Sequence, residues 1–352
     1  MTDLARHATW QEIHAQPGIW ADWGCALPVA ELRNWINDLN VQEVWFCGAG
    51  TSAYIGEIIV AGLEGLAGPR LRAVPTTDLV SRPHAYLSGR KPLVVSFGRS
   101  GNSTESIGTL DALDALAPDA PRLHITCNPA GALATRYGTG PQKVVLLPAV
   151  THDAGFAMTS SFSTMLLTAL ALFDLSCDVA KRFRDLADQF STVLPKYLQL
   201  AMSSAIPDRI VFLGAGPLAF AARESALKVM ELTAGQVPAL WDSALGFRHG
   251  PKSFVQDRTD IIVFMSPDPQ AALYDADLVT ELRLQYPAAN VTALTHDLPY
   301  GPAWGAPLFV GLAQMLALVW SDRLGLNVDD PFSGQGTLSR VVSGVRLYPV
   351  TR

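Results

Sequence analysis

The chain has 352 residues, 49% of them hydrophobic and only 16% Asp, Glu, Lys or Arg, with a formal net charge of -6. At roughly 150 residues per domain this length predicts two domains, and the acidic balance argues against nucleic acid or an anionic membrane as partner, since both reward a basic face. Cys25, Cys47, Cys127 and Cys177 are widely spaced, with no C-x-x-C pair and no histidine at ligand spacing, so neither a zinc site nor a disulfide framework is expected.

In chain order, residues 1–40 read as a helical N-terminal cap. Charges run throughout its first twenty positions and no apolar signal-peptide core interrupts them, which predicts a cytoplasmic protein. Short β-branched runs follow at 43–47, 71–75, 93–97, 123–127 and 144–147, with helical periodicity between them at 53–66 and 104–116. The uncharged stretch 154–173 is studded with Ser and Thr and reads as a loop and buried helix. Residues 179–205 read as a long bridging helix. Strands are then predicted at 210–213, 261–265 and 291–294, with helices at 218–233 and 271–284. A second uncharged stretch, 298–321, opens with Pro299, Gly301 and Pro302 and also reads as a buried helix.

The segments VWFCGAGTSAY, starting at Val44, and IVFLGAGPLAF, starting at Ile210, repeat one pattern: apolar strand, G-A-G, start of a helix. Strand and helix alternate around each copy, which predicts two doubly wound parallel-sheet halves, three-layer α/β/α, related by internal duplication. The expected division is 1–40 for the cap, 41–178 for the first half, and 179–352 for the bridging helix, second half and C-terminal tail. A mean hydropathy of +0.21 with so little charge also predicts apolar surface buried between subunits.

In such sheets the loops after the strands carry the chemistry. After VVSF come Gly98, Arg99, Ser100, Gly101, Asn102, Ser103 and Thr104, then a helix. Glycines let backbone N–H groups approach an anion, hydroxyls donate, the helix start adds partial positive charge and Arg99 adds a guanidinium fork, which points to phosphate. Thr51 and Ser52, after the first G-A-G, can serve the same anion. Each loop also reads as an ordinary turn before a capped helix. Gly48, Gly50 and Ala53 fit a dinucleotide fingerprint, but no acidic residue stands about 20 positions on, where the ribose would need it.

The other concentration of charge lies in RESALKVMELTAGQVPALWDSALGFRHGPKSFV, from Arg223. Glu224, Lys228 and Glu231 share one helical face at i, i+4 and i+7, and Arg248, His249 and Lys252 lie in a Gly/Pro turn. An alternative is an ordinary surface Glu–Lys pair and a turn histidine, with Arg248 and Lys252 as solvated charge. Thr159, Ser160 and Ser161 fit either sugar contact or capping of the helix after them.

FCGAGTS, SFGRSGNSTES, AMTSSFSTML, ESALKVMELTAG and GFRHGPKS together resemble the tandem sugar isomerase (SIS) domain family over nearly the whole chain. Within it, the chain is most similar to the galactosamine-6-phosphate deaminase group, long called tagatose-6-phosphate ketose/aldose isomerase, and more distantly to the isomerase half of glucosamine-6-phosphate synthase. The resemblance implies a cofactor-free, metal-free phosphosugar isomerase or deaminase. It places the sugar phosphate against Thr51, Ser52, Arg99, Ser100 and Ser103, with Thr159 and Ser160 as further substrate candidates. The catalytic set falls on Glu224, Lys228, Glu231 and His249, with Glu231 as the base between C1 and C2 and His249 as the ring-opening group. The family histidine serves a neighbouring subunit, so a homodimer with a shared site is implied.

Departures from the synthase matter too. The chain starts Met1-Thr2 with no glutaminase cysteine, which makes ammonia a product rather than a substrate, and Ser343 stands where the synthase has a lysine. The favoured conversion is galactosamine 6-phosphate to tagatose 6-phosphate. A plain aldose–ketose isomerase and a non-catalytic sugar-phosphate sensor are the alternatives, and intact Glu231 and His249 weigh against the sensor.

Overall fold

Nine short strands build two parallel sheets in a computed structural model that describes residues 4–176 and 178–351; the start at Met1-Thr2 and Cys177 lie outside the described residues. The first sheet contains β1 (Glu43–Cys47), β2 (Arg70–Ala73), β3 (Leu93–Gly98), β4 (Arg122–Thr126) and β5 (Gln142–Leu146), in the order β2-β1-β3-β4-β5. The second contains β6 (Arg209–Gly214), β7 (Ala239–Ser243), β8 (Thr259–Phe264) and β9 (Asn290–Leu294), in the order β7-β6-β8-β9. Every paired neighbour is parallel. The expected two α/β halves are therefore present, with one strand, β7, that the periodicity did not predict. Its sequence, ALWDS, has no β-branched residue and ends in two polar ones, so it carries little strand signal.

Each sheet buries both faces, because alternate side chains along a strand point opposite ways. In the first sheet Trp45, Cys47 and Val94 pack with Ala112 and Leu113 of the Thr104–Leu116 helix. On the opposite face Phe46 meets Phe173 of the Ser160–Phe173 helix edge to face at 5.0 Å. The Thr51–Gly62 helix lies on that face as well, and Gly56 lets it come close: a Cβ there would stand 2.9 Å from the Phe46 side chain. In the second sheet Val211, Leu213, Ile261 and Val263 pack with Leu278, Val279 and Leu282 of the Pro269–Gln285 helix. The reverse face carries Phe264, whose ring lies 4.9 Å from Phe309 in the Pro302–Arg323 helix. That helix is long and apolar enough to span a membrane by composition, but its apolar window is entirely buried as core.

The chain divides into two compact units, each assembled from three segments. One comprises Ile19–Asp153, Ser160–Phe183 and Thr337–Arg352 and holds the first sheet; the other comprises Met1–Gly18, Ala154–Thr159 and Arg184–Gly336 and holds the second. The C-terminal tail thus belongs with the first sheet, far from it in sequence. Val350 packs against the Trp45 cluster, and Leu347 lies so near Gly108 that a Cβ there would stand 2.7 Å from it. Among the described cysteines, Cys47 and Cys127 are buried and Cys25 is exposed.

Asp153 fixes the start of the Ser160–Phe173 helix. Its carboxylate accepts the backbone N–H of Ser160 and Ser161 at 3.1 and 3.0 Å and both hydroxyls at 2.5 Å. A buried anion at a helix N-terminus satisfies donors that have no partner inside the helix. Asp153→Ala is expected to cost about 2 kcal/mol or more, lowering the thermal midpoint by roughly 4–8 °C. Differential scanning fluorimetry of the purified variant tests this; an unchanged midpoint would mean that the cap contributes nothing.

Candidate active site

Strand order brings the two loops expected to bind an anion to neighbouring strand ends. In a 2-1-3-4-5 sheet the chain departs to opposite sides from its first and third strands, and a crevice opens beyond their carboxyl ends. Here those strands are β1 and β3, paired in register with Cys47 opposite Ser96, so the loops that leave them start side by side. They are the Gly48–Ser52 and Gly98–Ser103 loops.

The β1 loop needs its glycines. A Cβ on Gly48 would stand 2.5 Å from the Ser52 backbone, and Gly50 has φ 55°, a backbone region that side chains disfavour. Thr51 and Ser52 follow in the first helical turn, both buried. The β3 loop is buttressed from β4 and beyond. Thr126 Oγ1 donates to Gly98 O at 2.7 Å, Asn128 Nδ2 donates to Ser100 O at 2.8 Å, and Ala132 N–H donates to Asn102 Oδ1 at 2.8 Å. Ser103 caps the next helix, its Oγ accepting Ser106 N–H at 3.1 Å, while Ser100 is half-buried beside it.

Arg99 is only 6% exposed, and its Nη2 donates to the backbone carbonyl of Arg340 at 3.1 Å. Thr104 N–H donates to Val342 O at 3.3 Å, so the C-terminal tail lies along the loop. His152 shares this neighbourhood. Burial pushes its pKa below the ordinary histidine value, and Arg340 and Arg99 push it further, which leaves a neutral imidazole at pH 7 in a cationic surrounding. Arg340 and His152 were missed in the sequence; no motif marks them, because the tail reaches the loop through the fold. Thr159 and Ser160 are fully buried. Thr159 Oγ1 donates to Glu12 at 3.2 Å and Ser160 serves Asp153, so both hydroxyls stabilise local structure.

The corresponding position in the second sheet differs. The loop after β8 carries Asp268, which caps its helix through Gln270 and Ala271 N–H, and Asp275 accepts Ser266 N–H at 2.8 Å. That loop carries an Asp carboxylate where the loop of the first sheet carries the Arg99 guanidinium.

The expected acid–base residues lie instead on the Pro217–Leu232 helix. Gly216, with φ 54°, turns the chain out of β6, Pro217 occupies the first turn, and Ala234 and Gly235 end the helix in left-handed conformation. Glu224, Lys228 and Glu231 fall on one face as expected. The surface-pair alternative is overturned, since Glu224 and Lys228 are both 0% exposed. Lys228 Nζ lies 3.3 Å from Glu224 Oε1 and 2.5 Å from Glu231 Oε2. Burial alone would drive this lysine toward the neutral amine; Glu224 and Glu231 overcome that and raise its pKa above the ordinary value. Lys228 is therefore a fixed ammonium, able to donate and to stabilise negative charge but not to act as a nucleophilic amine.

A buried ion pair is a poor stabilising device, since desolvation offsets most of the attraction, and such clusters mark functional sites. Glu231 also sits in the last helical turn, where the dipole disfavours a carboxylate and Lys228 compensates. Its side chain keeps 22% exposure, making it the member of the set that a ligand can touch.

His249 stands on an exposed turn between the 3-10 segments Gly246–Arg248 and Pro251–Phe254, with Gly250 at φ 126°. Arg248 and Lys252 both pair with Glu281, Arg248 remaining exposed to solvent and Lys252 largely covered. Among the described residues no group of three or more His, Cys, Asp or Glu could hold a metal ion.

No family model matches the chain. It is 41% identical to the D-galactosamine-6-phosphate deaminase AgaS of Escherichia coli, over 98% of this chain and 97% of that one. The D-galactosamine-6-phosphate deaminase AgaS of Shewanella sp. (strain ANA-3) is 37% identical over 100% of this chain and 94% of its own. Among solved structures, tagatose-6-phosphate ketose/aldose isomerase from Escherichia coli matches with a TM-score of 0.88 and 37% identity, covering 99% of this chain and 98% of that one.

Lys228→Met should be destabilising by about 3 kcal/mol, because it strands Glu224 as a buried uncompensated charge. The raised lysine pKa gives this contribution a sign in pH: it is fully present below 10.5, the unfolded value, and is lost as pH climbs through the folded one. Urea unfolding of both proteins at pH 8 and at increasingly alkaline pH tests this. On the alkaline side the gap should narrow only above 10.5, and a gap that already narrows between pH 8 and 10.5 would contradict the assignment.

Proposed function

The chain belongs to the D-galactosamine-6-phosphate deaminase AgaS family of phosphosugar isomerase/deaminase enzymes, and from that membership we propose that it converts a 2-amino-2-deoxyhexose 6-phosphate to the ketose 6-phosphate with release of ammonia. Galactosamine 6-phosphate and tagatose 6-phosphate are the pair this reading favours, after the relatives named for them. The observation that carries it is the buried Glu224–Lys228–Glu231 set, with two carboxylates around one ammonium. Its excess of one negative charge suits a substrate that brings a protonated amine, whereas a plain hydroxy sugar brings none.

In this mechanism the phosphate is taken by Arg99, Ser100, the Ser103 loop and the Thr51–Ser52 turn, in cationic surroundings. His249 moves the proton that opens the sugar ring to the C1 aldehyde. Glu231 removes the C2 proton, Lys228 behind it holds that carboxylate in place, His249 donates to the C1 oxygen on which charge develops, and the enolamine is reprotonated at C1. The resulting C2 iminium takes up water and expels ammonia, leaving the ketose. No cofactor or metal takes part in this scheme.

The reading includes a homodimer in which His249 serves the neighbouring copy. His249 is exposed, and the exposed apolar residues Met230 and Leu245 lie close to Glu231 and His249 in the chain, where a second copy would cover them.

Parallel incubation with galactosamine 6-phosphate, glucosamine 6-phosphate and tagatose 6-phosphate, with ammonia and sugar phosphates quantified, tests the proposal. Ammonia with tagatose 6-phosphate from the galacto substrate is the expected result. Interconversion without ammonia would favour the plain isomerase that the solved relative's name describes. Glu231→Gln should lower kcat by about 100-fold or more with affinity held within about tenfold, because the phosphate contacts are untouched. Arg99→Ala should instead weaken sugar-phosphate binding by about 1.5–3 kcal/mol, measured by calorimetry; unchanged affinity would remove the loop from the site.

A further inference from the structure

The turn that carries His249 has little structure of its own. Its backbone is closed by His249 N–H to Gly246 O and Ser253 N–H to Gly250 O, both 2.9 Å, around a glycine at φ 126°. An exposed imidazole on such a turn would sample many positions, yet a general acid or base must stay within about 2.6–3.2 Å of its proton.

The flanking cations restrain it. Arg248 Nε lies 3.0 Å from Glu281 Oε2, and Lys252 Nζ contacts the other oxygen, Oε1. One carboxylate on the Pro269–Gln285 helix thus holds the residue before His249 and the lysine that closes the turn. Glu281 is only 24% exposed, and the hydrogen bond from Lys252 holds its carboxyl below the usual range, so it is an anion across the neutral pH span. Two further contacts act on the same segment. Tyr286 Oη donates to Lys252 O at 3.4 Å, and Arg209 Nη1 donates to Phe254 O at 3.2 Å with its guanidinium 5.0 Å above the Phe254 ring.

We propose that Glu281 is a positioning residue that fixes the His249 turn by bridging Arg248 and Lys252 across it. The proposal rests on the role given to His249 above. Glu281 touches no substrate; it acts by limiting the excursion of the imidazole, and a loosening on the order of 1 Å at a reacting group costs about 100-fold in rate.

The test is a double-mutant cycle on ammonia release from galactosamine 6-phosphate, with kcat, KM and thermal midpoint measured for Glu281→Gln, His249→Ala and the double variant. Glu281→Gln should lower kcat by about 10- to 100-fold with KM changed less than about threefold, and Glu281→Asp should recover part of the loss. Arg248→Gln, which removes one arm, should give a smaller loss in the same direction. In the His249→Ala background the added Glu281→Gln change should make less than about a twofold difference. Independent, multiplying losses in the double variant would overturn the proposal, as would wild-type kcat in Glu281→Gln alongside an impaired His249→Ala. Wild-type turnover by His249→Ala would instead remove the histidine's role, and the positioning role with it.

Discussion

An ammonium ion completely withdrawn from water has to be held charged by its neighbours, and the second unit is organised around that requirement at Lys228. A lone buried lysine would give up its proton; with Glu224 and Glu231 on the same helical face it does not. The constraint extends outward. The helix must be covered to keep water from Glu224 and Lys228, which accounts for the largely apolar, buried Pro302–Arg323 helix packed against it. The helix must also end one turn after Lys228, so that Glu231 is near the surface while still within reach of the ammonium. Ala234 and Gly235 end it there.

The two sheets repeat one strand order and use it differently. In the first, the loops at the switch between β1 and β3 bring hydroxyls, glycine amides and a buried guanidinium together. In the second, the same position holds a carboxylate that caps the next helix, and the buried charge cluster lies on the helix that follows β6. One scaffold thus occurs twice in the chain, with different polar groups at the same strand end.

Much of this was legible in the chain because it is local. β1 and the Thr104–Leu116 helix fall where the periodicity puts them, and the i, i+4, i+7 spacing of Glu224, Lys228 and Glu231 specifies a shared face. Burial of that face was not legible, since the same spacing describes a solvated pair; only packing against a second helix distinguishes them. β7 escaped because it is short and polar at its end. The partner of Arg248 and Lys252 escaped for a different reason: Glu281 lies on another element, and one glutamate on an amphipathic helix looks like any other.

The C-terminal tail meets the anion loop through main-chain carbonyls: that of Arg340 accepts from Arg99, and that of Val342 accepts from Thr104. A carbonyl is the same whatever residue bears it. The strap can therefore exchange its side chains without releasing the loop beneath, which leaves positions such as Ser343 open to substitution while the guanidinium stays aimed. The side chains of this segment can drift by mutation independently of the grip that holds it in place.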